Sequence, residues 1–366
     1  MQKLTIKSSF GNYEVINTKI SRNFFLKYSK NAVYLIDKNV YLKNKIINKI
    51  KKNIILINSH ENTKNYTQIT NIIKKILEKK VKRDSVIFAI GGGVVQDISG
   101  FIASILFRGI KWNFIPTTVL AQCDSCIGGK TSINFGKYKN QLGNFYPPQK
   151  IYLDPSLLST LKLHDIKSGL GEMAHYYLVS NLKDWKFYKK NLTGMLKKDF
   201  NINTMKILIF KSLMIKKKFV EIDEFDKGPR LVLNYGHTFG HAIEKITNYS
   251  VPHGMAVAHG INMSNFFSLN CNLINKNMYD DVEYQMSKIV DLAILKKINV
   301  SRFLETIKKD KKNKKNQIRL ILTKGYGKMF IKNFNNELRF VSLFKKYLIY
   351  IKNFKLHNSE FRGYSV

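Results

Sequence analysis

The chain has 366 residues, 44% of them hydrophobic, and carries 62 Lys and Arg against 25 Asp and Glu, a formal net charge of +37. That length accommodates two domains, and six prolines and 21 glycines exclude a collagen-like or low-complexity chain. No apolar run reaches the roughly 18 residues of a membrane span, and the first ten residues have no secretory pattern, so the expected compartment is the cytoplasm.

The excess of positive charge would suit a nucleic-acid-binding protein. The basic residues, however, are spread along the whole chain alongside abundant Ile and Asn, as a strongly AT-biased coding sequence would produce. The one dense run, Lys308 to Lys315, reads first as a solvated helix end or loop. Three cysteines cannot build a disulfide framework. Cys123 and Cys126 form a C-x-x-C with no second copy to complete a zinc site, and are expected to be small packed residues.

Taken in chain order, Lys3 to Lys7 and Tyr13 to Ile16 are expected to pair as a hairpin. Val33 to Ile36, Ile54 to Ile57 and Val86 to Ile90 are apolar and β-branched, the pattern of buried parallel strands, with helical spacing over Thr63 to Lys80 between the last two. This rhythm predicts an α/β nucleotide-binding domain over residues 1–155. From Pro155 onward helical patterns dominate: Ile166 to Asn181, Asn203 to Ile222, Leu231 to Thr247 and Met255 to Asn270. Residues 156–366 are therefore expected to form a mostly α-helical metal- and substrate-binding domain, with one late strand pair, Gln317 to Leu322 and Lys328 to Lys332.

Three segments carry candidate chemistry. Gly91-Gly92-Gly93 lies between a buried strand and the helical pattern Val94 to Phe107, where backbone N–H groups and a helix N-terminus can receive a phosphate. Pro116-Thr117-Thr118, Asp124 and Gly128-Gly129-Lys130-Thr131 form a polar stretch suited to an anionic small molecule. It is not a P-loop, because Asp124 stands where the first glycine is required. His237 and His241 are four apart, on one helical face, and His253 follows, with Glu172 in Gly169-Leu170-Gly171-Glu172 able to add an oxygen ligand. Three histidines within 17 residues, of eight in the chain, point to a divalent metal.

In order and spacing, the strings GGGVVQDISGF, RGI, PTTVLAQCDSCIGGKTSIN, KNQLGNFYPP, GLGEM, NYGHTFGHAIE and HGMAVAHG resemble the 3-dehydroquinate synthase family over roughly residues 59–322. The resemblance implies an N-terminal NAD-binding α/β domain, a helical C-terminal domain and a homodimer acting on a small molecule. It assigns Glu172, His237 and His253 to a zinc or cobalt ion and moves His241 to substrate contact. NAD would be held by Ser59, His60, Glu61, Asn62, Thr63, Lys64, Gly93, Val94, Val95, Gln96, Asp97, Thr117, Thr118, Lys130, Lys139, Leu157, Leu158, Ser159 and Thr160. Asp124, Lys130, Asn140, Lys216, Arg230 and Asn234 match further substrate contacts. Arg108 matches an arginine reaching the neighbouring subunit's site, and Lys311 or Lys312, after Asp310, a lysine meeting the substrate phosphate.

The implied reaction is the second step of the shikimate pathway. 3-Deoxy-D-arabino-heptulosonate 7-phosphate is converted to 3-dehydroquinate and phosphate by transient oxidation with NAD, phosphate elimination, reduction, ring opening and aldol closure. Four features depart from the family: His175 at an expected lysine, Met255 at an expected glutamate, Gln96 at a usual glycine, and the loop between Asn134 and Lys139. His175 would exchange a fixed charge for a titratable one in the catalytic set. A weakened enzyme, another sugar phosphate cyclase and a related polyol dehydrogenase are the alternatives. Arg230 and Asn234 favour a carboxylated substrate, and the GGKT-to-KN segment argues against the dehydrogenases.

Overall fold

A computed structural model describes residues 3–28, 31–136, 138–296, 298–308, 317–335 and 337–353. The chain divides into two compact units, Met1–Leu233 and Asn234–Val366.

The first unit opens with β1 (Lys3–Ile6) and β2 (Tyr13–Asn17), antiparallel as the sequence predicts. There follow α1 (Arg22–Leu26), β3 (Ala32–Asp37), α2 (Lys38–Lys43), β4 (Ile54–Ile57), α3 (Tyr66–Leu77), β5 (Val86–Gly91), α4 (Gly93–Ile105), β6 (Lys111–Pro116), β7 (Lys130–Phe135), β8 (Tyr138–Phe145) and β9 (Lys150–Leu153). Seven strands form one sheet in the order β1-β2-β9-β6-β5-β3-β4, parallel throughout except for β1. β3 is buried at all six positions, which is why it reads as an unbroken apolar run. β6 has no such run because Asn113 sits inside it. The Asn113 side chain accepts the Lys150 N–H at 3.1 Å, so a buried polar residue pins β6 to β9. β7 and β8, not singled out as strands in the sequence, make a separate antiparallel hairpin; β8 has no buried face to announce it.

Three long helices complete this unit: α5 (Leu163–Ser180), α6 (Leu182–Met195) and α7 (Ile202–Ile222). Asn181 and Asn201 cap α6 and α7 by accepting first-turn N–H groups. The helical character expected after Pro155 thus begins inside the first unit, and the units divide about 80 residues later than the boundary expected at residue 155. A change of secondary structure marks where strands end, not where contacts end.

The second unit comprises α8 (His237–Ile246), α9 (His253–Asn270), α10 (Lys276–Ser287), α11 (Ala293–Lys296), α12 (Val300–Lys308), the antiparallel pair β10 (Ile318–Thr323) and β11 (Met329–Phe334), and α13 (Glu337–Asn353). Phe239, Phe267, Phe303, Phe340 and Phe344 anchor its core. The helical pattern Leu231 to Thr247 is broken at Gly236, whose φ of +83° is left-handed, so that α8 starts afresh at His237. Among the described residues no helix is long and apolar enough to cross a membrane.

α8 and α9 meet backbone to backbone. A β-carbon at Gly260 would stand 1.9 Å from the Gly236 carbonyl oxygen, and one at Gly240 3.1 Å from that of Ala256. Gly260→Ala is therefore expected to destabilise the fold by about 3 kcal/mol or more, since backbone cannot yield as a side chain can. A denaturant midpoint matching the parent protein would contradict this packing.

Candidate active site

The glycine turn of the first unit joins β5 to α4. A β-carbon at Gly91 would meet the Val95 side chain at 2.6 Å and one at Gly92 the Thr118 side chain at 3.0 Å, whereas Gly93 faces open space to 4 Å. Packing leaves no room for a side chain at Gly91 and little at Gly92, and Gly93 leaves room beside the N–H groups that open α4. Gln96, one turn in, does not fill that room. Its side chain is buried, donating to the Ser125 carbonyl and accepting from the Ser125 hydroxyl, both at 2.5 Å.

Beside the turn, Lys64 is buried and its ammonium lies 2.7 Å from Asp97 and 2.9 Å from Asn140 Oδ1. Burial pushes the Asp97 carboxyl up, against the pull of Lys64. Glu61 accepts from Asn134 at 2.9 Å and pairs with Lys139 at 3.5 Å. Ser59 and His60 follow β4, and Glu61, Asn62, Thr63 and Lys64 form a short helical turn. Leu157 and Leu158 are core residues, so their side chains are committed to packing, whereas Thr117 is buried with its hydroxyl unsatisfied.

A second group gathers around Asp124, which sits in a widened helical turn, Ala121–Ser125. Its Oδ1 accepts from Lys216 at 2.6 Å and from the Tyr176 hydroxyl. Burial works to raise the Asp124 carboxyl, but the Lys216 ammonium and the Tyr176 bond outweigh it and hold the group well below the usual carboxylate range. Lys130 pairs with Asp226; burial, together with Arg230 and Lys216, pushes its ammonium down. Arg230 is buried and donates to the carbonyls of Glu224 at 2.6 Å and Gly128 at 3.5 Å. Gly128 has a φ of +102°, and a β-carbon there would strike the guanidinium at 2.3 Å, so glycine is what admits the arginine. Three cations and two carboxylates thus lie within electrostatic reach of one another.

Glu172 lies in the middle of α5, 3.6 Å from His175 Nδ1 one turn on. The His175 ring packs on Tyr176 with centroids 3.9 Å apart. Cys123 and Cys126 are buried thiols; burial pushes Cys126 up to about 12 and Cys123 well above the ordinary value, so neither is poised as a thiolate. Arg108 is exposed after α4, in a left-handed backbone conformation. Lys311 and Lys312 lie outside the described residues.

In the second unit, His237, His241 and His253 come together with ring centroids 5.4 to 5.7 Å apart. His237 Nδ1 is 3.3 Å from the Tyr235 carbonyl and His253 Nδ1 is 3.1 Å from Glu244 Oε2. Both rings are therefore held at Nδ1, the bond by which metal-binding imidazoles are usually oriented. Asn234 ends the short turn before Tyr235. Met255, where the resemblance expects glutamate, packs against the aromatic core.

Tyr176, Asp226 and Glu244 were not singled out in the sequence. Glu244 is three residues from His241 on one helix, a legible signal. Tyr176 and Asp226 gain meaning only from partners 52 and 96 residues away.

The profile described as 3-dehydroquinate synthase N-terminal matches residues 54–168, and the one described as 3-dehydroquinate synthase C-terminal matches residues 169–313. The chain belongs to the 3-dehydroquinate synthase family. A 3-dehydroquinate synthase of Dictyoglomus turgidum is 36% identical over 297 residues, covering 81% of this chain and 83% of that protein. One of Helicobacter pylori strain P12 is 37% identical over 275 residues, covering 75% and 78%. Among solved structures, 2-deoxy-scyllo-inosose synthase complexed with carbaglucose-6-phosphate, NAD+ and Co2+ matches with a TM-score of 0.82 at 21% identity, covering 95% of this chain and 99% of that one. The 2-epi-5-epi-valiolone synthase of Streptomyces hygroscopicus, with NAD+ and Zn2+ bound, matches with a TM-score of 0.77 at 20% identity, covering 93% and 96%. At those identities they establish the shared fold, that of the dehydroquinate synthase-like cyclases, an α/β part followed by a mostly helical part.

Proposed function

We propose that this chain is an active 3-dehydroquinate synthase, a phosphate-eliminating carbon–oxygen lyase dependent on NAD and one zinc or cobalt ion. It would take 3-deoxy-D-arabino-heptulosonate 7-phosphate to 3-dehydroquinate. The observation that carries the reading is the cluster of three cations, Arg230, Lys130 and Lys216, set against two carboxylates, Asp124 and Asp226, an excess of positive charge that suits an anionic substrate. Family membership favours this substrate over those of the other cyclases.

The residues fit both cofactors. The open face of Gly93 at the start of α4 suits a pyrophosphate, and the imidazoles of His237 and His253, each held at Nδ1, suit a borderline metal. His237 and His253 would hold the ion with Glu172 as third ligand. Gly93 to Asp97, Ser59 to Lys64, Thr117, Thr118, Lys130, Lys139 and the backbone of Leu157 to Thr160 would hold the dinucleotide. When bound, NAD supplies a reversible hydride store and the metal Lewis-acid polarisation of a substrate oxygen.

The protein's own part is orientation and charge placement. Arg230 and Asn234 grip the carboxylate, with His241 alongside. Lys130 and Lys216 offset the remaining negative charge, and Asn140 donates its amide. Asp124, kept ionised by Lys216 and Tyr176, accepts a hydrogen bond from a substrate hydroxyl. His175 takes the place of a fixed charge near Asp124. Arg108 completes the site of a neighbouring subunit in a cytoplasmic homodimer, and Lys311 or Lys312 meets the phosphate.

The test is release of inorganic phosphate from the heptulosonate phosphate by purified protein supplied with NAD. Release should stop after treatment with a chelator and return with Zn2+ or Co2+. No release with every component present, or release indifferent to the chelator, would refute the reading.

A further inference from the structure

We infer that Glu244 is a positioning residue for His253, fixing the ring and raising the basicity of the nitrogen that meets the metal; this rests on the reading of His253 as a ligand. His253 is the first residue of α9 and its side chain is one-third exposed, so packing alone constrains it less than the buried His237. Its Nδ1 lies 3.1 Å from Glu244 Oε2. Glu244 projects from the last full turn of α8, and α8 is fixed against α9 by the glycine contacts at Gly236, Gly240 and Gly260. The distance from carboxylate to ring is thus set by backbone packing. The two imidazoles differ in partner: His237 is held by a neutral carbonyl and His253 by a carboxylate. A carboxylate accepting the Nδ1 proton selects the tautomer with Nε2 unprotonated and places negative charge behind it, which strengthens the ring as a donor.

The same atoms admit a rival arrangement. His241, Glu244 and His253 each offer a ligand atom, all within 4.8 Å of one another, so Glu244 would itself touch the ion if that trio held it. The hydrogen bond favours the orienting role, because it commits Oε2 to the ring.

The experiment titrates full-length protein with Co2+ against a chromophoric chelator and records the visible absorption of the bound ion. Glu244→Ala is expected to raise the Co2+ Kd by about 10- to 100-fold, the usual cost of losing an outer partner, with the band shape retained. Glu244→Gln, which keeps an acceptor without the charge and guards against misfolding of the alanine variant, is expected to raise it by less, about three- to tenfold. A Kd within twofold of the parent in both folded variants overturns the inference. So does a changed band shape in both, which would make Glu244 a ligand. His253→Ala separates the two levels: unchanged Co2+ affinity there removes the ligand assignment itself, whatever Glu244 does.

Discussion

Replacing His237 with alanine is expected to strip the protein of its metal and reduce phosphate release below about one part in a hundred. Outer partners of metal ligands already cost 10- to 100-fold in affinity or activity, and a direct ligand is expected to exceed about a hundredfold. The ring belongs to the first residue of α8 and is held at Nδ1 by the Tyr235 carbonyl, so backbone geometry sets its position. The fold should survive, because α8 is bound to α9 by Gly236, Gly240 and Gly260 and to the core by Phe239, Ala242 and Ile243. Metal content measured by atomic emission after gel filtration, beside a thermal melt, reads the outcome. A full complement of metal in the variant would remove His237 from the ligand set.

Replacing Arg230 with leucine is expected to cost about 10- to 150-fold in kcat/KM, mostly through KM. That range corresponds to losing hydrogen bonds from a charged donor, about 1.5–3 kcal/mol. The guanidinium is already aimed: two backbone carbonyls hold it and Gly128 makes space for it. Leucine would also leave the Glu224 carbonyl without that donor, so some loss of stability, about 1 kcal/mol, should accompany the kinetic change. Arg230→Lys should recover little, since a single ammonium cannot reproduce a planar fork on a carboxylate. Unchanged kinetics in Arg230→Leu would remove the argument for a carboxylated substrate and reopen the case for the other cyclases.

How much of this was legible in the sequence depended on whether a feature is local. β3, β4 and β5 were readable because burial on both faces leaves unbroken apolar runs. β6 was hidden by Asn113, whose amide is satisfied by a strand about 37 residues away. α6 was passed over although Trp185, Tyr188, Leu192 and Met195 mark one helical face. The break before α8 was hidden because Gly236 sits in a pattern whose periodicity runs straight through it. At the site, the histidines and the glycine turn were visible as short strings. The pairing of Asp124 with Tyr176, of Lys130 with Asp226 and of Gln96 with Ser125 depends on tertiary approach, for which linear spacing holds no signal. Gln96 shows the difference well: as a letter it departs from the family, yet as a side chain it turns inward and leaves the turn open.

The glycine seam between α8 and α9 bears on how such a lysine-laden chain can keep a demanding centre. Where two helices come into main-chain contact, the spacing of the residues they carry is dictated by peptide geometry, which mutation of outward side chains does not alter. Charge can therefore accumulate on the solvent faces of this unit generation after generation while the imidazoles stay in register. The vulnerable positions are the few without a side chain, where a single methyl group would drive the two backbones apart.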